Sequence, residues 1–351
     1  MIFLGADAGY KDLDLPDRTF APMNNLRQLT ATLLDHSTTP IRQLELLDEL
    51  KETLLGLTGI RGEGDDHRND ISTEDGLAIG TEWAARCLDD RSRTVKFVRG
   101  VEQAIRDRLA VAPGRPVELL YAGTGPFATL VFPLLSRFTP AQLRLTLVEI
   151  NGMSFAALAR LFAYPEYRGF VRQLLHADCT RLELSDWNSI DILLSETMQY
   201  ALQREHQVPI IEYLLPRLRE DVVLIPQEIR VGLAALEPQG GVEEWQVIPL
   251  SPLISLSSDG LTSPVTANGR PGTAEKPHVL LLPARPDIQG VLVFTTDIHV
   301  YGPEHLGFNE CGLTIAKSIH PEGGTGGGRS FKWHYGYTPE PGIVWEINDV
   351  A

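Results

Sequence analysis

The chain is short of cysteine, of positive charge relative to negative, and of long apolar runs, and each shortage excludes a class of protein. Only three cysteines occur in 351 residues, Cys87, Cys179 and Cys311. Their spacing fits neither a zinc cluster nor a disulfide scaffold and suits a reducing compartment. No stretch approaches the ~20 apolar residues that a membrane-spanning helix requires. The N-terminus from Met1 to Tyr10 has no basic region ahead of an apolar one, so no secretory leader is expected and the chain reads as cytoplasmic. Lys and Arg number 31 against 46 Asp and Glu, a formal net charge of −15. Phosphate backbones are neutralised by basic surfaces, so this balance argues against a nucleic-acid partner. It is compatible with a cationic substrate, although solubility alone also explains an acidic surface.

What is present is an ordinary globular composition, 43% hydrophobic and 22% charged, with no internal repeat. The first ~110 residues carry helical spacing. Leu26, Leu29 and Leu33 form one stripe, and Ile41, Leu44, Leu47, Leu50 and Leu54 a second. Between them His36-Ser37-Thr38-Thr39-Pro40 is a break whose proline opens the next helix. Residues 59–70 are expected as an exposed loop, and 94–109 as a helix with Val98, Val101, Ile105 and Leu109 inward.

After Pro113-Gly114-Arg115-Pro116 the pattern changes. Residues 117–121, 145–149, 190–194 and 222–226 are short, continuously apolar runs, as expected of parallel strands covered on both faces. A helical stripe fits 209–218, and the alternation describes a doubly wound α/β sheet. Beyond about residue 230 helices become scarce. Candidate strands at 228–234, 244–248, 278–282, 291–297, 313–317 and 343–347 suggest an antiparallel sheet or barrel, with 251–272 a loop and 323–328 a glycine-rich mobile segment. The chain thus divides into an N-terminal helical segment (1–70), an α/β domain (71–230) and a C-terminal β-domain (231–351).

The strand at 117–121 runs into Ala122-Gly123-Thr124-Gly125-Pro126. Gly123 and Gly125 let the backbone approach a ligand that side chains would keep away. The next strand ends in Glu149, 24 residues after Gly125, where an acid accepts from both ribose hydroxyls of a nucleoside. Asp178, in His176-Ala177-Asp178-Cys179, stands where a carboxylate can meet an adenine amino group; a helix cap is the alternative role. A Gly-x-Gly turn by itself is compatible with a tight turn that binds nothing, or with NAD, for which Ala128 replaces the usual third glycine. The ordered set of turn, Glu149 and Asp178 favours S-adenosyl-L-methionine.

The segment after the strand at 190–194 reads Ser195-Glu196-Thr197-Met198-Gln199-Tyr200, with Glu205 nine residues beyond Glu196. Two carboxylates in one site repel unless a cation lies between them. A guanidinium is such a cation, planar and forked to match carboxylates. Here the sequence resembles the protein arginine methyltransferase family, whose double-Glu loop has the pattern Ser-Glu-x-Met-x-Tyr with its second Glu nine residues on. Asp90-Arg91-Ser92-Arg93-Thr94 and Phe97 resemble an upstream motif of the same family, and the resemblance spans roughly residues 71–230. It implies a Rossmann-like class I methyltransferase domain with a C-terminal β-barrel-like domain. It also implies Glu196 and Glu205 as catalytic residues, Arg93 on the cofactor's methionine carboxylate, and Met198 and Tyr200 as substrate walls.

The family's Thr-His-Trp loop has no clear counterpart; Trp333-His334-Tyr335 is the candidate, with His334 at the substrate. Pro126-Phe127 also departs from the family's glycine loop, which marks a divergent, bacterial-type member. The expected substrate is a small guanidino compound such as free arginine, methylated in a biosynthetic pathway. The alternatives are arginine within a peptide, or a catalytically silent S-adenosylmethionine-binding scaffold. The leucine stripes of the N-terminal helices suggest a homodimer contact, packing within the chain being the other reading.

Overall fold

The computed structural model describes residues 2–5, 23–60, 71–73, 76–78, 87–239, 244–263, 272–273, 276–282, 291–320, 329–338 and 340–349. The expected glycine-rich segment 323–328 and most of the loop 59–70 lie outside these residues. The chain opens with β1 (Ile2–Gly5), then helices α1 (Met23–Leu34) and α2 (Pro40–Thr58), a small hairpin of β2 (Ile71–Thr73) and β3 (Gly76–Ala78), and α3 (Arg91–Val111). Thr39 caps α2 by accepting from Arg42 N, Pro40 occupies its first turn, and Gly59 ends it at φ 69°, the left-handed conformation that a glycine adopts without penalty. Asp90 caps α3 in the same way, accepting from Arg93 N, so this helix starts three residues before the expected 94.

The α/β layer follows: β4 (Val117–Ala122), β5 (Leu143–Glu149), α4 (Gly152–Ala163), β6 (Val171–His176), β7 (Ile192–Ser195), α5 (Gln207–Leu214) and β8 (Val223–Ile225). The sheet order is β1-β6-β5-β4-β7-β8. All neighbours are parallel except β1, which pairs antiparallel with β6. Leu119, Leu120, Leu145, Leu147, Leu193 and Leu194 are wholly buried, which is why these runs carry no polar alternation. Strand order reverses on the two sides of β4, and ligands of such sheets sit at the carboxyl ends of the strands at that point. Strand β6 escapes a reading by apolar run because Arg172 and Gln173 interrupt it, and β1 lies in a stretch expected to be helical.

The C-terminal part consists of β9 (Glu228–Gln239), β10 (Glu244–Ser257), β11 (Gly260–Ser263), β12 (Gly272–Thr273), β13 (His278–Leu281), β14 (Val291–Tyr301), β15 (Glu304–Leu306), β16 (Lys317–His320), β17 (Arg329–Gly336) and β18 (Gly342–Asp349). Seven of these strands form an antiparallel sheet centred on β9, β10 and β14, and β13-β17-β18 form a second. Phe294 of the first sheet meets Phe331 of the second edge to face, so the two close into the barrel-like layer expected.

Two expectations are corrected here. The loop proposed for 251–272 is strand as far as Ser257 and again at 260–263; Pro249, just before it, and Pro252, within it, sit at register shifts of the β9–β10 pairing, where a missing N–H is tolerated. Residues 313–316 are turn and irregular backbone, and the strand starts only at Lys317. Of the second stripe, Ile41 and Leu44 are 73% and 46% exposed, while Leu46, Leu47, Leu50, Leu54 and Leu57 are buried. The buried leucines pack within the chain, on α3, α4 and residues 132–136. Among the described residues no helix is long and apolar enough to cross a membrane.

Candidate active site

A cavity of about 390 Å³ opens at the carboxyl ends of β4, β5 and β7. Its first wall is the turn after β4. Gly123 and Gly125 take φ of 75° and 63°, which any L side chain would resist. A Cβ on Gly123 would also lie 2.2 Å from Thr197 Cγ2, so the turn and the acidic loop meet through the missing side chain. Glu149, at the end of β5, is 6% exposed. Its Oε2 accepts from Gly125 N and its Oε1 from Asn151 N, both at 2.7 Å. Burial pushes this carboxyl above its ordinary range, against the opposing pull of those backbone donors. Each oxygen retains lone-pair capacity toward the cavity. Asp178 also lines the cavity, while its Oδ1 caps the following turn, accepting from Thr180 N and Oγ1 at 2.8 Å each.

The opposite wall is acidic. Glu196 follows β7 directly and is 8% exposed. Gln207, at the start of α5, braces this corner: its Oε1 accepts from Thr197 N at 2.9 Å and its Nε2 donates to Ser195 O at 3.2 Å. From the first turn of α3, 103 residues earlier in sequence, Arg93 pairs its guanidinium with Glu196 Oε2. Burial works against the charge on Arg93, but Cys87, Asp90 and Glu205 overcome it, and the guanidinium is held above its ordinary range. Glu196 Oε1 is buried and has no hydrogen-bond partner among the described residues.

Glu205 reaches the same cavity through a strained loop. Ala201, Leu202 and Arg204 all take left-handed backbone, at φ of 54°, 54° and 70°, each costing roughly 1–2 kcal/mol for a residue with a Cβ. The C-terminal sheets hold them there. Ala201 N donates to Thr296 Oγ1 on β14 at 2.9 Å, Tyr335 Oη on β17 donates to Leu202 O at 2.8 Å, and Arg204 N donates to Pro341 O at 2.7 Å. Met198 and Tyr200 line the cavity between the two acids.

Neither a protein-family model nor a curated protein matches the sequence. Among solved structures the chain is similar to the Trypanosoma brucei PRMT1 enzyme–prozyme heterotetrameric complex with AdoHcy, at 12% identity and a TM-score of 0.50, over 75% of this chain and 92% of that one. It is also similar to PRMT6 with SAH (12% identity, TM-score 0.47, 74% and 98% covered). A third such structure is protein arginine methyltransferase 10 of Arabidopsis thaliana (12%, 0.49, 75% and 96%). The likeness is one of fold. The first of these, with the sheets described above, bears out a Rossmann-like domain joined to an antiparallel barrel-like layer.

Of the residues singled out from sequence, Arg93, Gly123, Gly125, Glu149, Asp178, Glu196, Met198, Tyr200 and Glu205 all line this one cavity. His334 does not. It stands on β17 opposite Val344, and its neighbour Tyr335 is the residue of that segment that touches the acidic loop. Alternation along a strand sends adjacent side chains to opposite faces, so Tyr335 and not His334 meets that loop, and it does so through the Leu202 carbonyl. Sequence reasoning missed Gln207, whose place beside Glu205 was a signal. It also missed Cys87 and Lys317, which line the cavity from distant segments and had none.

Proposed function

We propose that this chain is a methyltransferase that uses S-adenosyl-L-methionine to methylate a guanidino nitrogen. The observation that carries the reading is Glu196: one of its oxygens already holds a guanidinium, that of Arg93, and the other is buried and has no donor among the described residues. A planar, forked cation satisfies both oxygens at once.

The residues opposite fit the cofactor. The glycine turn would give backbone access, Glu149 would accept from ribose hydroxyls, Asp178 would meet the adenine amino group, and Arg93 would pair with the methionine carboxylate. When bound, the cofactor supplies an electrophilic methyl group on a sulfonium. Arg93, which pairs with Glu196, would be the residue that links the cofactor side of the cavity to the acidic side. Glu196 and Glu205 grip the substrate guanidinium and aim one terminal nitrogen, while Met198 and Tyr200 limit its tilt. A guanidinium has a pKa above about 12, so acceleration comes from alignment and charge complementarity rather than from a strong base. Charge balances when one proton leaves the nitrogen, and half-buried Glu205 is the carboxylate proposed to take it.

The preferred substrate is free L-arginine or a related small guanidino compound. Arginine within a protein is the second reading, supported by the names of the proteins that share the fold. Tritiated methyl transfer is measured to free arginine and to an arginine-rich peptide; label in arginine supports the first reading and label in the peptide the second. No transfer to either overturns both and leaves a cofactor-binding scaffold. A homodimer formed through α2 would use Ile41 and Leu44, exposed three residues apart on one face. An unchanged mass by light scattering for Ile41→Glu with Leu44→Glu removes it.

A further inference from the structure

We propose that Lys317 binds the carboxylate of a free guanidino amino acid and thereby sets the substrate class; this rests on the guanidine reading above. Lys317 opens β16 and pairs with Phe294 of β14. Two residues further along β14, Thr296 Oγ1 accepts from Ala201 N, which anchors the neighbouring Tyr200. One strand therefore sets the spacing of Lys317 and Tyr200, with anchor points ~7 Å apart at the usual strand rise. Lys317 Nζ lies 4.8 Å from the centroid of the Tyr200 ring, and both residues line the cavity that holds Glu196 and Glu205. Among the described residues its ammonium has that ring and no carboxylate as a partner.

A lysine in this place is informative because of its sign. The cavity's acids suit a cation, and a second cation at the rim repels one. A substrate that carries its own carboxylate at the other end turns that repulsion into an attraction. Free arginine does so: its guanidinium goes to Glu196 and Glu205, and its carboxylate reaches the rim. Arginine inside a peptide presents neutral amides there and leaves Lys317 uncompensated, and an arginine-rich peptide brings further like charge. Lys317 thus acts by attracting one class of substrate and repelling another. Arg93, the other basic residue of strong charge in the cavity, is engaged by Glu196.

The test uses the full chain and initial rates of labelled methyl transfer to L-arginine, argininamide, agmatine (arginine without its carboxylate) and an arginine-containing peptide. Arginine is expected to exceed argininamide and agmatine by about tenfold or more in kcat/KM, through KM, as for a charged hydrogen bond. Lys317→Met keeps the stem over Tyr200 and removes the charge, and brings the arginine-to-agmatine ratio toward one; Lys317→Glu inverts it. A ratio unchanged by Lys317→Met, both rates falling together, identifies a support for Tyr200 and overturns the proposal. So does a peptide used better than arginine. Absence of transfer to all four substrates overturns the guanidine reading and the role of Lys317 with it, whereas transfer with an unchanged ratio overturns the role of Lys317 alone.

Discussion

Replacing Glu196 by Gln keeps the volume of the side chain and turns one oxygen into an amide donor, so it separates charge from packing. Two interactions change. The first is the pair with Arg93. Removing one partner of a buried ion pair costs about 3–5 kcal/mol, but Arg93 keeps the fields of Asp90, Glu205 and Cys87, so a loss near the lower end is expected and the fold survives. The second is the grip on substrate. Truncating a buried hydrogen-bonded charge pair costs about 2–5 kcal/mol, which at 1.36 kcal/mol per decade is a loss of roughly 30-fold to a few thousandfold in kcat/KM. Cofactor affinity should move the other way if at all, because Glu196 no longer competes with a bound carboxylate for Arg93. The assays are labelled methyl transfer to arginine and calorimetric titration with S-adenosylhomocysteine. Full activity in Glu196→Gln refutes the double-Glu assignment. A tenfold loss of S-adenosylhomocysteine affinity refutes the division of labour between Arg93 and Glu196.

Three further outcomes are expected. Gly123→Ala forces a Cβ into left-handed backbone and to 2.2 Å from Thr197 Cγ2; strain and overpacking of about 1–3 kcal/mol each lower the melting temperature and weaken S-adenosylhomocysteine binding in calorimetry. Burial pushes the Tyr335 phenol well above its ordinary range, so it stays a donor. Tyr335→Phe strips the hydrogen bond from Leu202 O, costs about 1–3 kcal/mol by denaturant unfolding, and lowers kcat/KM while S-adenosylhomocysteine affinity holds. Asp191 is completely buried at the far end of the sheet, where Arg115 binds it at 2.7 and 2.8 Å and Arg219 at 3.0 Å. Burial would raise its carboxyl, but Arg115 and the Glu118 backbone N–H outweigh it and the group is held below the usual carboxylate range. Because the folded value is the lower one, the stabilisation is complete above the unfolded value and is lost as pH falls through the folded one; Asp191→Asn, costing about 3–5 kcal/mol, should flatten this part of an unfolding-against-pH curve.

Much of the α/β layer was legible because its physics is local. A strand buried on both faces must be apolar throughout, which exposed 117–121 and 145–149, and a left-handed turn beside a ligand requires Gly123 and Gly125. Strand β6 hid because Arg172 and Gln173 break its run. The acidic motif was legible through residue type and spacing: Glu196 at a strand end and Glu205 nine residues on.

The sequence by itself determined which chemistry is available: a glycine turn, a strand-terminal acid, two further carboxylates and an arginine. Only the tertiary structure decided how they meet. Ala201, Leu202 and Arg204 have no local reason to adopt left-handed backbone; Thr296, Tyr335 and Pro341 hold them there from 90 or more residues away, and that curl returns Glu205 to Glu196. The Arg93–Glu196 pair spans 103 residues, and Lys317 reaches Tyr200 from a strand of the antiparallel sheet. Hydrogen bonds and ion pairs act over a few ångströms of space irrespective of separation along the chain, so these contacts exist only once both sheets have closed around the loop.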